Sequence, residues 1–289
     1  MADSDGLRRF VFEGAGVRGA LVHLDASWQA VLDRHPYPPA VQRPLGQVLA
    51  AAVLLSSTIK FEGTLILQVE AEGPVRTLVA QATDRRTLRG LARWEGEVPD
   101  GGGLAETFGA GRLVLTASAP GGDRYQGVVA LEGATLAGAL EAYFAQSEQL
   151  PTRLWLAVDG PRAAGLLLQR LPGPTDDEDA WRRTAMLADT LRDAELLKLG
   201  TKDLLRRLFH EETVRLFEAE PVAFRCGCSR ERVDGLLRAL GREEVDEVLT
   251  AQGAIEVTCE FCNRVYRLDR VDAELLFRER GADVTDTRH

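Results

Sequence analysis

Four cysteines in the last quarter of the chain constrain its structure more than any other feature of the sequence. One residue separates Cys226 from Cys228, and two residues separate Cys259 from Cys262. Thirty residues lie between the two pairs, and the chain of 289 residues has no other cysteine. In a reducing compartment such a cluster more often binds metal or performs redox chemistry than forms permanent disulfides. Four thiolates satisfy a tetrahedral zinc site. The spacing therefore predicts one Zn²⁺ per chain, bound by these four sulfurs.

The residues around the cysteines predict a small domain that depends on its metal. Gly227 is expected to let the backbone bend so that both sulfurs of the first pair face one ion. Ser229 is a suitable N-cap for a helix that ends at Gly241, and a second helix is expected at 243–251. Residues 222–289 have a small core for their number, so the metal would supply much of the folding free energy. Four buried cysteines without metal, or a purely structural zinc ribbon, are the alternatives.

Residues 1–173 have the pattern of an α+β domain. Helical spacing of apolar residues predicts helices at 27–34, 41–60 and 135–146. Alternating apolar residues, typical of strands, occur at 7–13, 17–24, 63–70, 75–82, 87–94, 112–117, 125–131, 153–158 and 165–171. Since these elements do not alternate as βαβ units, we expect an antiparallel sheet with helices packed on it.

Residues 174–221 differ in composition and predict a charged helical linker. They hold 8 Lys or Arg and 12 Asp or Glu, a clearly larger share of charge than the 27% of the whole chain. Four consecutive acidic residues near the start suit a helix N-terminus, and apolar residues then recur with helical spacing. Such an element can dock by a narrow apolar stripe and stay soluble when released, although an ordinary surface helical hairpin is the alternative. The stripe residues expected to be exposed to clients on release are Trp181, Leu187, Leu191, Leu204 and Leu205.

A glycine motif near the N-terminus resembles a nucleotide-binding loop but has the wrong context. Gly14, Gly16 and Gly19 form G-x-G-x-x-G after a strand-like run. A dinucleotide fold would open a helix at this point, whereas residues 17–24 continue as an alternating strand. The motif therefore favours glycines at a β-hairpin.

The net charge and the lengths of the apolar runs indicate which classes of binding partner to expect. The chain carries 44 acidic and 35 basic residues, a formal charge of −9, so general affinity for nucleic acid or an anionic membrane is not expected. Residues 222–289 hold 14 acidic and 11 basic residues, which counts against a nucleic-acid-binding zinc ribbon. The longest apolar run, 49–55, is too short to span a bilayer. Without a basic segment followed by an apolar one at the N-terminus, we expect a cytoplasmic protein.

Motifs in all three segments resemble the bacterial 33 kDa chaperonin family, whose members are redox-regulated heat-shock chaperones. The zinc-domain motifs are Cys226-Gly-Cys228-Ser229-Arg230-Glu231-Arg232, Leu240-Gly241-x-Glu243-Glu244-Val245 and Cys259-Glu260-Phe261-Cys262-Asn263 with Tyr266. Upstream, 143–152, 165–172 and 207–212 are similar to the same family. The resemblance implies a core domain over 1–173, a metastable linker over 174–221 and a zinc-binding redox switch over 222–289. It also implies an ATP-independent chaperone, not an enzyme, that binds unfolding client proteins and forms a homodimer when oxidised.

The chemistry of such a switch follows from the thiolates. Zinc keeps the sulfurs as thiolates, which is the form that oxidants attack. A sulfenic acid on one sulfur can be resolved by the neighbouring cysteine, which predicts disulfides Cys226–Cys228 and Cys259–Cys262 and loss of the zinc ligands. Loss of the metal should unfold so small a domain and free the linker. A thiol–disulfide oxidoreductase acting through the second pair is the alternative, although that pair lacks a thioredoxin-like context.

Overall fold

The chain divides into two units, Met1–Arg225 and Cys226–His289, each described here by itself. The computed structural model describes residues 4–58, 62–119 and 124–278. The strands of the first unit are β1 (Gly6–Phe12), β2 (Val17–Leu24), β3 (Thr64–Ala71), β4 (Val75–Thr83), β5 (Thr87–Trp94), β6 (Gly111–Ser118), β7 (Arg124–Ala130), β8 (Thr152–Asp159), β9 (Arg162–Arg170), β10 (Val214–Pro221) and β11 (Ala223–Phe224). Its α-helices are α1 (Ala26–Leu32), α2 (Pro39–Ser56), α3 (Leu104–Phe108), α4 (Leu136–Tyr143), α5 (Ala180–Ala188), α6 (Asp193–Lys198) and α7 (Thr201–Phe209).

Within the described residues of the first unit, the strands form two sheets. The first has the order β10-β1-β2-β9-β8 and is antiparallel throughout. The second has the order β11-β5-β4-β3-β6-β7, and only the short β11 pairs in parallel. The α+β class with antiparallel sheets is therefore confirmed, with two sheets in place of one.

The glycine motif forms the predicted hairpin between β1 and β2. Gly14 and Gly16 have φ of 73° and 60°, the left-handed conformation that glycine adopts most readily. Gly19 lies opposite Phe10 in the ladder, and a Cβ at this position would lie 2.2 Å from the Phe10 ring. Gly14 and Gly16 therefore allow a tight turn, and Gly19 allows the close contact with the Phe10 ring.

Helix α2 lies in the core between the two sheets. It contacts β4 and β5 of one sheet and β8 and β9 of the other. Such a helix must be apolar nearly all round, and its sequence from Val48 to Leu55 is fully buried. At its C-terminal end, Arg18 Nη2 donates to the Thr58 carbonyl at 3.1 Å and Arg86 Nη1 donates to the Ser56 carbonyl at 3.3 Å. Cations at this end offset the negative end of the helix dipole.

The segment 174–221 is not helical throughout, which corrects one part of the sequence interpretation. Three short helices, α5 to α7, pack on the outer face of the first sheet, and β10 then pairs with the exposed edge of β1. Apart from the consecutive Leu216 and Phe217, the residues of β10 before Pro221 alternate apolar and charged side chains, and β1 supplies a neighbour for its backbone groups. The end of this segment is therefore an edge strand of the core.

The second unit is small and mostly helical. It contains α8 (Arg230–Leu240), α9 (Arg242–Gln252), β12 (Ile255–Thr258), β13 (Val265–Leu268) and α10 (Arg270–Arg278). As predicted, the Ser229 hydroxyl caps α8 by accepting from the Arg232 amide, and Gly241 follows this helix. Gly253 follows α9. The buried apolar residues described in this unit are Val233, Leu237, Val245, Leu249, Ile255, Leu268, Ala273 and Leu276.

Candidate metal centre

The four cysteine sulfurs lie together in the second unit. All four Sγ atoms lie within 4.8 Å of one another. The separations given by close contacts are 3.6 Å between Cys226 and Cys259 and 3.4 Å between Cys228 and Cys262. Each cysteine is partly buried, so the cluster is shielded from bulk solvent yet open to small reagents.

The arrangement fits a tetrahedral metal ion. A tetrahedron of sulfurs about 2.3 Å from a central zinc has edges of about 3.8 Å. The close separations of 3.4 and 3.6 Å and the outer limit of 4.8 Å bracket that edge. In the part of the chain that the structure describes, the cluster contains cysteine alone, without histidine or carboxylate. An all-thiolate donor set suits zinc among the common divalent ions.

A tight turn between β12 and β13 positions the second cysteine pair. The Cys259 amide donates to the Arg264 carbonyl at 2.9 Å, and the Asn263 amide donates to the Cys259 carbonyl at 2.8 Å. Asn263 has a φ of 55°, a left-handed conformation that asparagine tolerates better than most residues. The hairpin therefore holds both sulfurs of this pair on one turn.

Helix α8 positions the first pair. Ser229 caps the helix immediately after Cys228, and Arg230 then bonds to Asp234, to Asp272 and to the Arg267 carbonyl at 3.0, 3.0 and 3.1 Å. These bonds join α8 to β13 and α10, so the first pair is held against the hairpin that carries the second.

The expected role of Gly227 is not borne out by its backbone. Gly227 is not among the glycines with a left-handed φ. A Cβ added there would lie 3.2 Å from Nη1 of Arg232, the mobile end of a long side chain. The bend between Cys226 and Cys228 therefore uses a conformation that other residues can adopt.

Burial keeps the thiols of the second pair protonated in the absence of metal. It is the largest cause that raises the pKa of Cys259, and it raises the pKa of Cys262 to about 12. The positive charge of a bound zinc ion favours the thiolate and reverses this effect. Metal loading should therefore release protons, and zinc affinity should fall as the pH is lowered.

Tyr266 supplies a hydrogen bond to one of the sulfurs. Its hydroxyl donates to Cys228 Sγ at 3.2 Å, and this bond is the main cause that raises the Tyr266 pKa. The Arg264 guanidinium lies 6.0 Å from the centre of the tyrosine ring. Because Tyr266 lies on β13, its hydroxyl ties the first cysteine pair to the hairpin of the second.

We expect Tyr266→Phe to weaken zinc binding about tenfold, because partners that orient metal ligands contribute about this much affinity. Competition with a colorimetric chelator measures the change. Tyr125→Phe, which removes a hydroxyl in the first unit, serves as the matched control. Equal zinc affinities for the two variants would show that the Tyr266 bond does not support the site.

Comparison with known proteins identifies the family to which this chain belongs. A family model described as Hsp33 protein matches residues 5–269. The chain belongs to the Hsp33 family. It is 59% identical over 290 residues to the 33 kDa chaperonin of Nitrosococcus oceani, with both chains covered in full. It is 48% identical to the 33 kDa chaperonin of Methylobacillus flagellatus over 96% of each chain. Membership in the Hsp33 family gives this chain a chaperone function.

A solved structure supports the same fold. The crystal structure of the 33 kDa chaperonin of Thermotoga maritima has a TM-score of 0.84 to this chain, covering 96% of this chain and all of the other. The sequence identity is 24%, so this likeness concerns the fold. Among the described residues of this Hsp33 family member, no helix combines the length and hydropathy needed to cross a membrane.

The predicted linker residues all lie in one apolar cluster on the outer face of the first sheet. Leu204 and Leu205 are buried there, and Trp181, Leu187 and Leu191 pack against it while partly exposed. Leu196 and Leu208, which also belong to the helically spaced apolar residues of the sequence, are buried in the same cluster, and so are Leu197 and Phe209, which that spacing did not indicate. Leu196 and Leu197 lie on α6, and Leu208 and Phe209 lie on α7.

The predicted disulfide pairings stay predictions. The close sulfur contacts run between the two pairs, from Cys226 to Cys259 and from Cys228 to Cys262. A clustered, reduced set of thiols therefore sets no preference for pairing within Cys226–Cys228 and Cys259–Cys262.

Proposed function

We propose that this chain is an ATP-independent holdase, inactive while its four thiolates bind zinc and activated when oxidants convert them to disulfides. The observation that carries the proposal is the convergence of four cysteine sulfurs within 4.8 Å in a unit with a small core. A unit of this kind relies on its metal for stability, so oxidation of the ligands should unfold it.

The linker helices are suited to release because apolar packing holds them more than polar bonds do. The polar links to the first sheet include an exposed ion pair between Arg153 and Asp189 at 2.7 Å. A second is the bond between His23 Nε2 and the Leu196 carbonyl at 3.0 Å. Exposed ion pairs contribute about 0–1 kcal/mol. Separation of α5 to α7 would uncover apolar residues on both surfaces, and such surfaces bind unfolding polypeptides.

The chain just before Cys226 offers a route from the switch to the linker. The Ala223 amide donates to the Arg86 carbonyl at 3.1 Å, and the Arg225 amide donates to the Leu88 carbonyl at 2.9 Å. Residues 223–225 are therefore anchored on β5, and β10 immediately before them is an edge strand. Unfolding that begins at Cys226 would loosen this anchor first and the linker next.

The proposed clients are proteins that unfold or are damaged under oxidative stress, and the proposed active form is a homodimer. A thiol switch must begin reduced, so we also propose a cytoplasmic location. An insulin-reduction assay distinguishes the proposed holdase from the alternative, a thiol–disulfide oxidoreductase, because a holdase gives no catalytic turnover.

An aggregation assay tests the proposal. Reduced, zinc-loaded protein and peroxide-treated protein are added to a heat-denatured client, and light scattering is followed. The oxidised form should suppress scattering at near-equimolar ratio without ATP, and the reduced form should have little effect. Equal activity of the reduced and oxidised forms would show that the chain is a chaperone without a redox switch.

Metal analysis of the reduced protein should give about one zinc per chain. The donor set consists of sulfur alone, so X-ray absorption should fit four Zn–S distances of about 2.3 Å without a nitrogen shell. Peroxide treatment should release the metal in step with thiol loss. A nitrogen or oxygen ligand in the spectrum would contradict the site proposed here.

A further inference from the structure

A cleft in the first unit has an apolar lining and one cation, Arg18, that has no ionic partner among the described residues. Its volume is about 480 Å³, within the range of small-molecule sites. Leu115, Ala117, Phe144 and Leu150 supply apolar walls, and Arg18 lies in the lining. None of its lining residues belongs to the cysteine cluster or to the linker residues described above.

Arg18 is held in place by a chain of hydrogen bonds. Its Nε donates to Gln169 Oε1 at 3.0 Å, and Gln169 Nε2 donates to Thr152 Oγ1 at 2.8 Å. Its Nη2 donates to the Thr58 carbonyl at 3.1 Å. The guanidinium is therefore fixed before any ligand arrives, and such preorganisation lowers the entropy lost on binding.

The partners of Arg18 among the described residues are neutral carbonyl oxygens. No carboxylate of the described chain lies within ion-pair distance of it, and Nη1 has no hydrogen-bond partner there. Burial lowers the Arg18 pKa, and nearby Arg9 lowers it further. A half-buried cation with free N–H groups is a site for an anion, and a carboxylate matches the guanidinium geometry.

The opposite wall of the cleft is a polar cluster on an irregular turn. Tyr143 and Tyr125 both donate to Glu148 Oε1 at 2.9 Å, and Glu148 ends a π-helical turn, Phe144–Glu148. Gly127 leaves room for the Tyr143 ring, since a Cβ there would lie 2.4 Å from it. Turns of this kind occur frequently at functional sites. Because both hydroxyls are turned to Glu148, this wall offers no donor to a second anionic group, so one head group at Arg18 is favoured.

We propose that this cleft binds a small amphiphile with one carboxylate head and an apolar tail, the head at Arg18 and the tail against Leu115, Ala117 and Phe144. A charge-assisted bond to the free Nη1 would hold the head. Burial of the tail on the apolar wall would supply most of the affinity. The proposal concerns the first unit and is independent of the redox switch.

Calorimetric titration of the full, reduced, zinc-loaded chain with decanoate tests the proposal, at concentrations below those that form micelles. Decanol serves as the uncharged probe and decyltrimethylammonium as the cationic one. Decanoate should bind about tenfold or more tightly than either, since one hydrogen bond to a charged group contributes that much. Arg18→Met should abolish the preference for the carboxylate, whereas Arg170→Met, an exposed arginine on the same sheet, should retain it.

A second variant tests the same cleft independently, in case Arg18→Met lowers the stability of the fold. Ala117→Leu keeps the guanidinium and narrows the cleft at its apolar wall, and it should weaken all tailed probes while the thermal midpoint stays close to that of the parent. Retention of the carboxylate preference in Arg18→Met, or unchanged binding in Ala117→Leu, would overturn the site. Tighter binding of an apolar peptide with a free C-terminus than of decanoate would assign the cleft to polypeptide ends and overturn the small-amphiphile proposal.

Discussion

Leu204→Asp is expected to suppress client aggregation under fully reducing conditions, without oxidant and with zinc still bound. Leu204 is completely buried in the cluster between α7 and the first sheet. An unpaired charge at such a position costs about 3–5 kcal/mol, which changes the ratio of docked to released linker by roughly a hundredfold or more. Light scattering of a heat-denatured client, beside zinc analysis of the same sample, measures the effect.

Two matched variants make this test specific. Met186→Asp introduces the same charge on α5 at a side chain that is 60% exposed, so it should leave the reduced protein inactive. Leu191→Asp should have an intermediate effect because Leu191 is only partly buried. Limited proteolysis should cut Leu204→Asp first within 174–213 and leave the sheets intact. A folded Leu204→Asp protein that retains zinc and stays inactive until oxidised would show that the thiols do more than release the linker.

Cys259→Ser is expected to abolish stable zinc binding and to unfold the second unit. A neutral hydroxyl is a poor zinc ligand, and the remaining three thiolates leave the tetrahedron incomplete. The apparent free energy of zinc binding in comparable small domains is about 10–16 kcal/mol, far above what the small core of this unit can replace. Amide exchange or circular dichroism should report loss of α8 and α9, and the metal content should fall well below one equivalent.

The control for this loss is Thr250→Ser, an exposed change in the same unit that keeps the hydroxyl bonded to the Asp246 carbonyl. It should retain zinc and structure. Full zinc occupancy and a folded second unit in Cys259→Ser would contradict an all-cysteine site. If the proposed coupling holds, Cys259→Ser should also be active without oxidant.

Much of the local structure could be predicted from short-range patterns. The spacing of the four cysteines was enough to expect one cluster, and the structure brings their sulfurs together. Ser229 and Gly241 mark the ends of α8 because capping depends on residues within one turn. The strands β2 and β5 begin and end at the residues that their alternating pattern indicated.

Other features could not be predicted because they depend on residues far apart in the chain. The division of the strands into two sheets, with α2 between them, follows from packing that no local pattern encodes. Helix α3, Leu104–Phe108, has too few turns to give a periodic signal. Strand β10 lies within a segment rich in charge, and its conformation depends on the free edge of β1, which comes from the opposite end of the first unit's sequence.

By itself, the sequence determined the α+β class, the cysteine cluster, the charged segment and the membership of the Hsp33 family, since each rests on composition or on spacing within a few turns of chain. Tertiary structure alone decided which linker side chains are buried, because burial of Leu204 and the partial exposure of Leu191 depend on the sheet beneath them. It also decided the surroundings of Arg18, whose partners Thr58 and Gln169 come from distant segments. Long-range packing determines both the burial of the linker side chains and the surroundings of Arg18, since the free energy of a side chain depends on all the groups that surround it.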